Sequence, residues 1–192
     1  MSVKKTDYEI LLSEYSNREG AIALLKRHRP YLEMIPSMRR AKDSLISIPL
    51  PLVLIRSETN SPGDGTKKMK TEEVIELPCD LALLMCDPEW KIKMGVEILI
   101  FIHRPQEEFS DILLRWRKSQ MLLHKEYEWL MPTNEEHMFS EPPDHIHPLF
   151  VIFEETPERI KRGLMGASLP FILEIPEFTN SENRSQVLSA QE

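Results

Sequence analysis

The stretch Met94-Gly95-Val96-Glu97-Ile98-Leu99-Ile100-Phe101-Ile102 decides the fold. It is rich in β-branched and aromatic residues with a single charge inside, the composition of a buried strand. His103-Arg104-Pro105 reads as a turn. Beyond it Phe109, Ile112, Leu113, Trp116, Leu123, Tyr127 and Leu130 recur at helical spacing. Pro105 suits a first helical position, Glu107 and Glu108 suit the positive end of the helix dipole, and Pro132 ends the pattern. The expectation is one long helix over 105–131. A buried strand feeding a long helix implies a single α+β domain, with a mixed sheet of about five or six strands packed on that helix.

Upstream, residues 1–45 read as a helical N-terminal arm. Tyr8, Leu11, Leu12 and Tyr15 form an apolar stripe, and Asn17 can cap a second helix bearing Ala21, Ile22, Leu24 and Leu25, which Pro30 ends. Residues 46–176 form the α+β core. Within it 46–55 reads as a strand whose Pro49 and Pro51 push one half to an edge. Residues 57–71, with Asn60-Ser61-Pro62-Gly63-Asp64-Gly65, read as a mobile loop without P-loop spacing. Further strands are expected over 73–77 and 81–86, then 149–153 and 171–175, with a short helix opening at Thr156-Pro157-Glu158. Residues 132–148 are a proline- and histidine-rich connector, and 177–192 a polar, aperiodic tail expected to be disordered.

Composition narrows the function classes. The net charge of −7 argues against a surface devoted to duplex nucleic acid, leaving only a local basic patch in the N-terminal arm. No apolar run approaches a membrane span, and the first residues lack the apolar stretch of a secretory signal. Cys79 and Cys86 lie in apolar contexts and read as reduced core thiols, which fits a cytoplasmic, intracellular protein.

Two constellations could carry metal chemistry. Asp80 precedes an apolar strand and Glu97 lies within another, where an acid is costly unless paired or metal-bound. Two acids on neighbouring strands beside a cation are how metal-dependent nucleases hold magnesium and activate water. Cys79-Asp80-Leu81-Ala82-Leu83, Val96-Glu97-Ile98-Leu99 and Leu169-Pro170-Phe171-Ile172-Leu173 together resemble Uma2-type proteins of the PD-(D/E)xK nuclease-like superfamily. The resemblance implies Asp80 and Glu97 as catalytic acids, with Arg115 on the following helix as a basic partner. The chain has Cys79 where that pattern has proline and Leu99 where it has lysine. The second constellation is His137, Asp144, His145 and His147, whose spacing could hold zinc for a hydrolase.

A third feature points to protein contacts. Trp90 and Trp129 fall at element ends, where a partly exposed indole can anchor a partner. Arg27, Arg29, Arg39 and Arg40 give the arm a basic face. Neither metal constellation is complete, so the chain reads as a soluble, non-catalytic interaction or accessory protein needing no cofactor. Its partner would be another protein or a second copy of itself. A metal-dependent hydrolase using magnesium or zinc is the alternative.

Overall fold

The computed structural model describes residues 5–60, 68–89, 93–131 and 145–174. Three helices come first, α1 (Lys5–Tyr15), α2 (Arg18–Lys26) and α3 (Arg29–Leu32), then a 3-10 segment over Met38–Asp43. The strands β1 (Leu45–Pro49), β2 (Leu52–Asn60), β3 (Lys68–Glu76), β4 (Leu81–Cys86) and β5 (Lys93–Ile102) follow. After them come α4 (Phe109–Leu123), β6 (Glu126–Trp129), β7 (His145–Phe153), α5 (Glu158–Gly166) and β8 (Phe171–Glu174).

The strands form two sheets. The larger runs β1-β4-β5-β7-β8, antiparallel from β1 to β5 and parallel from β5 to β8. The smaller is antiparallel, β3-β2-β6. The central run 98–102 is apolar throughout because both of its faces are covered. Leu99 and Phe101 enter one cluster with Val53, Ile55, Trp116 and Trp129, so α4, α5 and the small sheet lie on that face. Ile98, Ile100 and Ile102 enter the other cluster with Leu11, Tyr15, Leu24, Leu25 and Tyr31. The N-terminal segment expected as an arm is therefore a layer that covers a whole sheet face. Each fully buried leucine in it contributes about 1.5–3 kcal/mol.

The α+β class is correct, but its central helix is shorter than the spacing suggested. Residues 105–131 divide into α4 and β6. A reciprocal capping box between Glu108 and Asp111 starts the helix at Phe109, and His124 caps its end. From Glu126 the burial alternates, and Tyr127 and Trp129 turn inward as strand residues paired with β2. The helical phase of Tyr127 with Leu123 was a coincidence of short periods. The strand expected over 46–55 also divides. Pro49 and Pro51 flank Leu50 at φ 44°, and there the chain leaves the large sheet for the small one. Within the segment expected as a loop over 57–71, residues 57–60 and 68–71 are strand, with β2 and β3 paired from Leu52↔Glu76 to Asn60↔Lys68, and residues 61–67 lie outside the described residues. Gly95, at φ 69°, sits where the β4–β5 register shifts, the left-handed position that such an irregularity takes most easily as glycine.

Asn17 caps α2 as expected, accepting from the Gly20 amide at 2.7 Å. Gly20 is needed there for a second reason: a Cβ at this position would run into the Glu14 backbone carbonyl at the end of α1. Gly20→Ala should therefore destabilise by about 2–3 kcal/mol despite alanine's better helix propensity, read as a lowered denaturant midpoint. A neutral or stabilising result would mean that α1 and α2 pack more loosely than described.

Candidate functional site

Asp80 is fully buried where the amino end of β4 meets the carboxyl end of β5. Four donors surround its carboxylate. Tyr8 Oη donates to Oδ1 at 2.8 Å, as does Arg104 Nη2 at 2.8 Å. The Ile102 amide donates to Oδ2 at 2.6 Å, and Arg115 Nη2 closes an ion pair with the same oxygen. Tyr8 comes from the N-terminal layer and Arg115 from α4 across the sheet, so one carboxylate clasps both layers. Arg115 also donates to the Pro78 carbonyl at 2.9 Å and to Glu107 Oε1 at 3.1 Å. The guanidinium thereby fixes α4 against the loop before β4.

Next to this cluster, His103 Nε2 faces the Glu107 carbonyl at 3.1 Å and its Nδ1 faces Thr156 Oγ1 at 3.0 Å. Thr156 Oγ1 also accepts from the Phe153 amide at 2.9 Å. A carbonyl can only accept, so every group is satisfied when His103 carries its proton on Nε2 and the threonine donates to Nδ1. This Thr156 stitches β5 to β7 and leaves Pro157 at the cap of α5.

Glu97 is equally buried and makes a different set of bonds. Tyr127 Oη donates to Oε2 at 2.8 Å and Trp129 Nε1 to Oε1 at 2.6 Å. The two rings meet edge to face at 5.8 Å between centroids. Glu97 thus pins the small sheet onto the large one.

The two acids are not brought to a common point. Glu97 stands opposite Leu84, four residues along β4 from Asp80, or roughly 13 Å at the rise of a strand. Metal oxygens need to lie within about 2.0–2.6 Å of one ion. Of these two acids, Arg115 is paired with Asp80. Among the described residues, no group of three or more His, Cys, Asp or Glu side chains is arranged to hold a metal. Of the histidine constellation, His137 and Asp144 lie outside the described residues. His145 and His147 lie in β7 and not in a connector, with ring centroids 6.3 Å apart. Burial, with a smaller contribution from His145, lowers the His147 pKa.

Of the aromatic candidates, Trp129 resolves differently from expectation. Trp129 is 4% exposed and cannot anchor a partner, because strand alternation turns it onto Glu97. Trp90 lies outside the described residues. Arg27 bonds the Glu174 carboxylate and the Leu173 carbonyl, Arg29 pairs with Glu33, and Arg40 with Asp43. Arg39 is exposed.

What the sequence reading missed is the outer face of α4. Leu114 is 50% exposed and Met121 71%, one above the other at a spacing of two turns. Beneath Met121 a cavity of about 350 Å³ is lined by Glu76, Pro78, Lys118, Met121, Leu122 and Lys125. Leu114 and Met121 lie off the buried stripe in the sequence, and that offset was the available signal.

All four tyrosines of the chain are used in one way. Tyr8, Tyr15, Tyr31 and Tyr127 each donate to an acceptor on or beside the large sheet: Asp80, Glu174, the Pro148 carbonyl and Glu97. Burial raises the Tyr8 pKa to about 12, helped by the Asp80 charge, and raises Tyr31 to about 12. Burial followed by a neighbouring carboxylate pushes Tyr15 and Tyr127 further up. A raised tyrosine pKa favours the neutral folded form. This stabilisation is complete below pH 10, the unfolded value, and is lost as pH rises towards 12. Ultraviolet titration should show no tyrosinate at pH 10 and a cooperative rise with unfolding above it. A component titrating near 10 would mean that one of these bonds does not form.

Compared with the models of known protein families, with curated proteins and with solved structures, the chain finds no match. No described helix is long and apolar enough to cross a membrane.

Proposed function

We propose that this is a soluble, intracellular, non-catalytic interaction protein that docks a protein partner on the outer face of α4. The observation that carries the reading is exposed Met121 on the wall of an apolar cavity of about 350 Å³, with exposed Leu114 two turns earlier on the same helix. An exposed methionine over a concave apolar floor is the adaptable contact that docking surfaces favour. The two buried acids support the same reading, because their donors tie layers together and commit both carboxylates to architecture. Arg115 links the two regions: its bond to the Pro78 carbonyl holds the helix against the opposite wall of the cavity, so the surface is organised before any partner arrives.

The test is size-exclusion of the tagged protein in cell extract, wild type beside Met121→Glu. The wild type should elute in a complex larger than the 22.5 kDa chain, and the variant should not. A complex that survives the substitution would move the interface elsewhere. For the metal-hydrolase alternative the measurement is melting with and without magnesium or manganese. A metal-dependent rise abolished by both Asp80→Asn and Glu97→Gln would overturn the proposal, since a ligand that binds the folded state stabilises it.

A further inference from the structure

We infer that the partner presents an acidic segment with one apolar side chain, and that the α4 cavity receives that side chain. The inference rests on the interaction reading above and names the chemistry of its partner. Its size argues first. At about 350 Å³ the cavity is at the small end of ligand sites, suited to one or two side chains and not to a large cofactor. Pro78, Met121 and Leu122 make the floor apolar. Lys118 and Lys125 also line it and are exposed, each combining an apolar stem with a cationic head.

Charge argues second. Along α4 the only acid is Asp111 in its first turn, while Arg117 and Lys118 follow on the exposed side and Lys125 lies just past the end. Lys118 and Lys125 form no ion pair among the described residues, unlike Arg27, Arg29, Arg40 and Arg56. On a chain of net charge −7 this is a local cationic rim around an apolar floor. A nucleic acid would need a longer cationic track than these few groups provide. An Asp- or Glu-flanked leucine, methionine or phenylalanine satisfies both features at once. Glu76 is the single carboxylate of the lining and opposes such a segment.

The experiment is fluorescence anisotropy of the full chain with a labelled acidic peptide, Asp/Glu/Ser/Gly in composition, bearing one central phenylalanine. Two control peptides replace the phenylalanine with serine, or every acid with lysine. The acidic phenylalanine peptide should bind at least about tenfold more tightly than either control. Binding should weaken several-fold from about 50 to about 300 mM salt, since the charges are exposed. Met121→Glu, and Lys118→Glu combined with Lys125→Glu, should each weaken it by about tenfold, and Glu76→Gln should tighten it. These residues are on the surface, so an unchanged melting temperature is the control for folding. Equal binding of the lysine peptide, no binding of any peptide, or indifference to the Lys118/Lys125 reversal would overturn the inference. A complex in extract that Met121→Glu abolishes would then leave the interaction reading standing with a partner of other chemistry. Failure of both experiments would remove both.

Discussion

Glu97→Ala should lower unfolding stability by about 3–5 kcal/mol, one of the two largest effects expected from any single substitution in this chain. The Tyr127 hydroxyl and the Trp129 indole N–H would both lose their acceptor inside a dry core. Each stranded donor costs about 1–3 kcal/mol, and the missing side chain leaves a cavity as well. Against a total of about 5–15 kcal/mol for an ordinary domain, that loss decides whether the protein stays folded. Glu97→Gln keeps the shape and one acceptor oxygen, so its cost should be no more than about half as large. Denaturant unfolding measures both. Hydrogen exchange should place the loosening in β2, β3 and β6, because Glu97 ties the small sheet to the large one through Tyr127 and Trp129. Equal, small losses for both variants would mean that the small sheet is held by apolar packing alone.

Arg115→Ala is the second. Its guanidinium is paired with Asp80 and Glu107 while nearly excluded from water, and removing it leaves two acids short of a cation. Breaking a buried pair from one side costs about 3–5 kcal/mol. Asp80 would keep Tyr8, Arg104 and the Ile102 amide, which favours the lower half of that range. Adding Asp80→Asn to Arg115→Ala should cost about 1–3 kcal/mol less than the sum of the two single losses, the coupling that a double-mutant cycle reads. Strictly additive losses would contradict a direct pair. The same variant should weaken partner docking, because Arg115 also holds α4 against Pro78.

These two residues also show what was legible from the sequence and what was not. The run 98–102 announced a strand covered on both faces, and the helical stripes of Leu11, Tyr15, Leu24 and Leu25 announced a segment with a face to bury. Asn17 announced its cap. The cost of an acid inside an apolar strand correctly marked Glu97 as partnered. The partner itself was hidden, because a carboxylate can be satisfied by a metal, a cation or two neutral donors, and strand spacing does not say which. Tyr127 and Trp129 were assigned to a helix, so their donors could not be set opposite Glu97. That error came from reading a helix through Lys125, where the chain in fact reverses into a strand. The cavity was invisible for a further reason. Glu76 and Pro78 reach Lys118 and Met121 only through the tertiary fold, and one sequence shows no long-range contact.

The most direct test of the account is amide hydrogen exchange of the chain within the complex recovered from cell extract, compared with the chain alone. Residues 114–125 and the 76–78 wall should gain protection, while α1 to α3 should not change. Protection confined to the N-terminal helices, or to β7 near His145 and His147, would contradict the assignment of the docking surface to α4.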